Sequence, residues 1–136
     1  MDNRDLKRAG LKVTLPRVKV LRLLESHPSG HLSVEEIYQE LTRGGEEVGL
    51  ATVYRVLTQF EQAGLVIKHN FEGGQAVYEL NQGGHHDHIV CVRCGQVDEF
   101  VDERIERLQE TIADEAGYQI TDHHLTIYGI CRRCRR

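Results

Sequence analysis

Residues 50–80 read LATVYRVLTQFEQAGLVIKHNFEGGQAVYEL, and the hydrophobic period changes partway along. Val53, Val56, Leu57 and Phe60 recur at i, i+3, i+4 and i+7, one face of a helix, and Gly64 closes it. Two strand-like runs follow, LVIKH and AVYEL, joined around Gly73-Gly74 as a hairpin. A helix running into a hairpin completes a winged helix-turn-helix if two more helices precede it. The upstream sequence supplies them. In TLPRVKVLRLLESHP, Thr14 can cap, Pro16 suits a first turn, and Val20, Leu23 and Leu24 form an apolar stripe. In SVEEIYQEL, Ser33 and Glu36 make a capping box, with Val34, Ile37, Tyr38 and Leu41 on one face. Gly44 and Gly45 break the chain before the third helix.

In that layout the helix beginning near Leu50 enters the DNA major groove. Its outer face carries Thr52, Tyr54, Arg55, Thr58 and Gln59, able to donate, accept or press on thymine methyls. A solvated helix face has the same composition, and charge decides between them. Met1 to Arg22 holds seven Lys/Arg against two Asp/Glu, whereas Phe71 to Cys131 holds three against twelve. The basic front, with Lys12 and Arg17 placed to meet phosphates, favours DNA; the acidic, histidine-rich back favours cations.

The segment NQGGHHD reads as a hinge between a first domain over residues 1–82 and a second over 83–136. Beyond it, HIVCV and QVDEF read as strands flanking a Cys-x-x-Cys turn. DERIERLQETIADEAG reads as a helix with Ile105, Leu108 and Ile112 inward, and YQITDHHLTIYGIC as a last strand. This half is a small α+β unit with few large apolar residues, one that a metal staple or a partner subunit would stabilise. No run approaches the roughly 20 apolar residues that span a bilayer, and no signal-peptide pattern opens the chain, so the expected compartment is the cytoplasm.

Cys91-x-x-Cys94 and Cys131-x-x-Cys134 can present four thiolates tetrahedrally, a closed site for structural Zn(II). A redox dithiol would instead sit at a helix N-terminus, and the first pair lies between strands. The stretch GHHDHIVCVRCGQ also holds His85, His86, Asp87 and His88. Extended residues alternate sides, so His85 and Asp87 face one way, His86 and His88 the other, and one segment can serve two N/O sites. Further candidates are His31, Glu79, Glu99, Glu106, His123 and His124, which spacing alone does not assign. A hydrolytic or oxidative metalloenzyme is a rival reading, but no H-E-x-x-H motif is present and the recognition-like helix would go unused. A metal-storage protein is another, and would take up metal without specific DNA affinity.

The segments AGLKVTLPR, GLATVYRVLTQFEQAGLV, HNFEGG, HHDHIVCVRCGQVDEF and the terminal CRRC resemble the ferric-uptake regulator (Fur) family, its iron-sensing branch above all, along nearly the whole chain. The resemblance implies a winged helix plus a C-terminal dimerisation domain in a cytoplasmic homodimer, with pairing of dimers left open. It implies a non-enzymatic repressor of iron-acquisition genes that binds A/T-rich inverted repeats when Fe(II) is plentiful, Mn(II) or Zn(II) being able to replace Fe(II). A zinc- or peroxide-sensing regulator of the same family is the alternative. By position, His31, Glu79, His88 and Glu99 would form one site with His86 as a further ligand, and His85, Asp87, Glu106 and His123 a second. His124 matches no ligand position. Tyr54 and Arg55 would read bases, Lys12 would enter the minor groove, and Arg17 and Thr52 would hold phosphates.

Overall fold

The computed structural model describes residues 3–28, 30–82 and 86–135. The chain divides into two compact units, Met1–Gly83 and Gly84–Arg136. The first contains α1 (Asn3–Arg8), α2 (Leu15–Ser26), α3 (Val34–Arg43), α4 (Leu50–Gln62), β1 (Val66–His69) and β2 (Val77–Leu80). The second contains β3 (Asp87–Cys91), β4 (Val97–Phe100), α5 (Glu103–Ala116) and β5 (Thr126–Gly129). Helices with two small sheets give an α+β fold: a winged helix-turn-helix followed by a small sheet-and-helix domain.

Local chemistry sets the helix boundaries. The Thr14 hydroxyl accepts from the Arg17 N–H at 3.4 Å, and Pro16 occupies the first turn of α2. Ser33 and Glu36 complete their reciprocal cap: the Ser33 hydroxyl accepts from the Glu36 N–H at 3.2 Å and the Glu36 carboxylate from the Ser33 N–H at 3.0 Å. Ser33 is buried, so its loss would leave an N–H of α3 without its acceptor. Ser33→Ala is expected to cost about 1 kcal/mol, read as a lower urea midpoint at unchanged slope.

The core of the first unit gathers Val20, Leu21 and Leu24 of α2, Ile37 and Leu41 of α3, and Val53, Val56, Leu57 and Phe60 of α4. Leu6 of α1 is wholly buried among them, so a fourth, short helix joins the three expected from the sequence. The wing is antiparallel, with Val66 opposite Leu80, Ile67 opposite Glu79 and His69 opposite Val77. Leu32 adds a further bridge: its N–H donates to the Tyr78 carbonyl at 3.1 Å, and the Tyr78 N–H returns a bond of 2.8 Å.

In the second unit β3 is the central strand, antiparallel to β4 and parallel to β5. Two expectations are corrected here. The inward stripe assigned to the following helix is not buried: Leu108 is 62% exposed and Ile112 63%, and α5 buries none of its residues within this single chain. Ile105 of that stripe is half-buried, and no described residue covers Leu108 or Ile112. The last strand is also shorter than expected. Gly117 ends α5 in the left-handed conformation, and pairing begins only at Thr126, opposite His88. The intervening residues form a loop, which carries His123 to Glu106 on α5. No helix is long and apolar enough to cross a membrane among the described residues.

Candidate functional site

Strand register gathers metal-type donors in each unit. In the first, the Leu32–Tyr78 bridge sets the preceding His31 beside the following Glu79, and His31 Nε2 lies 2.9 Å from Glu79 Oε2. Both side chains are nearly inaccessible, at 1% and 4% exposure. A carboxylate this deep is costly unless partnered by hydrogen bonds or a cation. His69, absent from the sequence-based ligand set, approaches the other oxygen, with Nε2 at 2.5 Å from Glu79 Oε1. The signal that could have found it is the register itself: Ile67 faces Glu79, so His69, two residues on, is its diagonal neighbour on the same face.

In the second unit, β3 sends neighbouring residues to opposite faces. His88 pairs across to Glu99 of β4, so their side chains share a face. His86 joins them, with Nε2 3.4 Å from Glu99 Oε1 and its ring 4.8 Å from that of His88. His86, His88 and Glu99 each offer a donor atom within 4.8 Å of the others. Asp87, one residue along, belongs to a different cluster, in which its carboxylate lies with Glu106 of α5 and His123 of the loop within the same limit. His123 Nε2 is 3.0 Å from Glu106 Oε2. Asp87 is 1% exposed. Two carboxylates and an imidazole gathered this closely, one of them deeply buried, form a donor set of metal-binding type. Imidazole and carboxylate donors suit borderline ions such as Fe(II), Mn(II) and Zn(II). His85 lies outside the described residues. His124 pairs with Asp122 at 3.2 Å on the surface, apart from either cluster.

The four cysteines meet as free thiols whose Sγ atoms all lie within 4.8 Å of one another. Cys91 ends β3, Cys94 follows in the turn to β4, and Cys131 and Cys134 follow β5. The parallel pairing of β3 with β5 sets Cys91 opposite Gly129, which brings the second pair alongside the first. The Cys91 sulfur accepts backbone N–H groups from Cys131 at 3.4 Å and Cys94 at 3.5 Å. These donors, Cys131 first, lower its thiol to about 5, a sulfur held ready as thiolate. Cys134 moves the other way, to about 12, chiefly through its hydrogen bond with the Cys131 sulfur. Four sulfurs so close share protons in the absence of a cation, and a tetrahedral divalent ion replaces those protons. The donor set fits structural Zn(II), and Arg133, 4.0 Å from the Cys94 sulfur, adds positive charge beside it.

The groups expected at DNA differ in exposure. Tyr54, 56% exposed, and Arg55 project from α4, and Lys12 is exposed ahead of α2. Thr52 is half-buried. Arg17 is held within the unit: its guanidinium donates to the Lys12 carbonyl at 2.9 Å and to Gln59 Oε1 at 3.0 Å. The Thr58 hydroxyl donates to the Tyr54 carbonyl at 3.0 Å. Of the outer-face residues expected to meet bases, Thr58 and Gln59 therefore have internal partners, while Tyr54 and Arg55 project outward.

Comparison with known proteins gives a consistent result. The model of the Ferric uptake regulator family matches residues 8–128. The chain is 62% identical over 134 residues to the ferric uptake regulation protein of Legionella pneumophila, covering 98% of each chain. It is similar to the crystal structure of the Vibrio cholerae ferric uptake regulator, with a TM-score of 0.88, 54% identity, and coverage of 95% of this chain and 98% of that one. That structure is described as revealing a rearrangement of its DNA-binding domains. The regulator from Pseudomonas aeruginosa, solved with manganese, gives a TM-score of 0.79 at 54% identity, covering 97% of this chain and 98% of the other.

Proposed function

The chain belongs to the ferric uptake regulator family and is a metal-responsive transcriptional regulator of the Fur type; from that premise we propose how its residues divide the work. It acts in the cytoplasm as a homodimer that represses iron-acquisition genes by binding A/T-rich inverted repeats when Fe(II) is bound. One observation carries the reading: His31 and Glu79, two buried metal-type donors, are built into the unit that presents the exposed α4 residues Tyr54 and Arg55. Metal and DNA thus act on one folded body.

His31, Glu79, His88 and Glu99, with His86, would hold the regulatory ion. His85, Asp87, Glu106 and His123 would hold a second ion within the C-terminal domain. Bound there, a divalent cation supplies positive charge and an oriented coordination shell rather than a catalytic step, and an enzymatic role is not part of the proposal. The Cys91, Cys94, Cys131 and Cys134 cluster would hold zinc permanently. A second copy of the chain would cover the outward stripe of α5, Leu108 and Ile112, since apolar patches of this kind mark association surfaces.

On the DNA side, Tyr54 would press on thymine methyls and Arg55 would reach base edges. Lys12 would enter the narrow, strongly negative minor groove of A/T tracts, and Arg17 and Thr52 would hold phosphates. The direct test is binding of the metal-free, Fe(II), Mn(II) and Zn(II) forms to an A/T-rich inverted repeat and to a scrambled duplex. Tight, sequence-selective binding by the metal forms alone is expected, and equal binding by the metal-free form would overturn the reading. Arg55→Ala should lose roughly 1–3 kcal/mol on the specific duplex and narrow its advantage over the scrambled one. Lys12→Ala should weaken both and flatten the salt dependence. Titrations of both variants at two salt concentrations separate these effects.

A further inference from the structure

We propose that His69 is the positioning residue for the Glu79 carboxylate, fixing one of its oxygens so that the other is presented to the regulatory ion. This rests on the reading that His31 and Glu79 bind that ion. The two Glu79 oxygens are divided between two histidines: Oε2 lies 2.9 Å from His31 Nε2 and Oε1 lies 2.5 Å from His69 Nε2. The His31 and His69 ring centroids stand 6.2 Å apart. His69 is itself clamped. Its ring lies nearly parallel to that of Phe71, at 5° with centroids 5.2 Å apart, and its side chain is 17% exposed.

The geometry distinguishes this role from direct ligation. Nε2 of His69 donates to the carboxylate oxygen Oε1, and His69 is absent from the group of metal-type donors that includes His31 and Glu79. The antiparallel register supplies the placement, and the Phe71 stack fixes the ring plane, so the contact does not depend on a metal being present. A carboxylate held by one oxygen cannot rotate freely, and a metal reaching the other meets it already oriented. Partners of this kind behind a ligand are generally worth 10–100-fold in metal affinity.

The test uses the full-length protein with zinc retained in the cysteine cluster and Co(II) as the probe. His69→Leu is expected to weaken Co(II) binding about 10–100-fold. At saturation, the position and intensity of the visible absorption bands should match the wild type, since the ligand set is unchanged. His69→Gln, whose amide can donate to the same oxygen, should recover most of the affinity. Phe71→Leu keeps the histidine but removes its clamp, and should weaken binding several-fold with the same bands; it carries the test if the leucine variant fails to fold. Unchanged affinity in His69→Leu, or in Phe71→Leu, would overturn the proposal. So would altered bands at saturation in His69→Gln, which would make His69 a ligand. Glu79→Ala serves as the separate control: if it leaves Co(II) binding untouched, the site reading itself fails whatever His69 does.

Discussion

Cys91→Ser is expected to release zinc and to lower the stability of the second unit by several kcal/mol or more. Among the described residues of the second unit the buried apolar side chains are Val90, Cys91 and Val97, too small a core to hold a domain of that size unaided. The cysteine cluster supplies what the core lacks, by tying the β3–β4 turn to the chain after β5. Zinc held by comparable peptide sites contributes on the order of 10 kcal/mol at neutral pH, and much of that is folding free energy when no site exists in the unfolded chain. Cys91 is the most telling position because it is buried and its sulfur accepts two backbone N–H groups. Serine can accept those bonds at nearly the same volume, so the loss reports the metal rather than a cavity. Zinc content by mass spectrometry, thermal melting and the oligomeric state by light scattering measure the three consequences. A Cys91→Ser variant that keeps its zinc, its oligomeric state and its melting temperature would sink the claim.

The features legible from sequence are those set by neighbours along the chain. Thr14, Ser33 and Glu36 cap as their spacing suggests, because a cap needs only the next three residues. The two Cys-x-x-Cys pairs announce their site because each pair fixes its own half of a tetrahedron. Helix α1 was not legible: it has six residues, four of them charged, and Leu6 is its one buried anchor. His69 was missed for another reason. Its meeting with Glu79 depends on the hairpin register across ten positions, and the alternation that marks a strand does not say which residue of its partner lies opposite. The stripe on α5 shows a further limit. Periodicity identifies an apolar face but not what covers it, so Leu108 and Ile112 read as core although a single copy leaves them exposed.

Operator DNA is expected to tighten metal binding by the same factor by which metal tightens DNA binding, and His31→Ala or Glu79→Ala should bring that factor close to one. The proposed regulatory ligands are drawn from both units, His31 and Glu79 from the first and His88 and Glu99 from the second. The sequence of residues 81–87, NQGGHHD, reads as a hinge. Ligands on both sides of a hinge are satisfied together in only some arrangements of the two units. A two-fold dimer must hold its recognition helices at a fixed spacing to meet both half-sites. Metal binding can therefore favour the DNA-competent arrangement only through its differential affinity for it. Linkage makes the effect reciprocal, commonly by 1–3 kcal/mol. A repressor that swings from about 1:99 to 99:1 needs roughly 10⁴-fold, about 5.5 kcal/mol. The measurement is Mn(II) affinity with and without a saturating inverted-repeat duplex, in the wild type and both variants. The variants should keep their cysteine zinc and their oligomeric state, which separates lost coupling from lost fold. Equal Mn(II) affinity with and without duplex in the wild type would rule out this ligand set as the switch. Coupling that survives in His31→Ala and Glu79→Ala but disappears on replacing Asp87, Glu106 or His123 would place the sensing role in the second cluster.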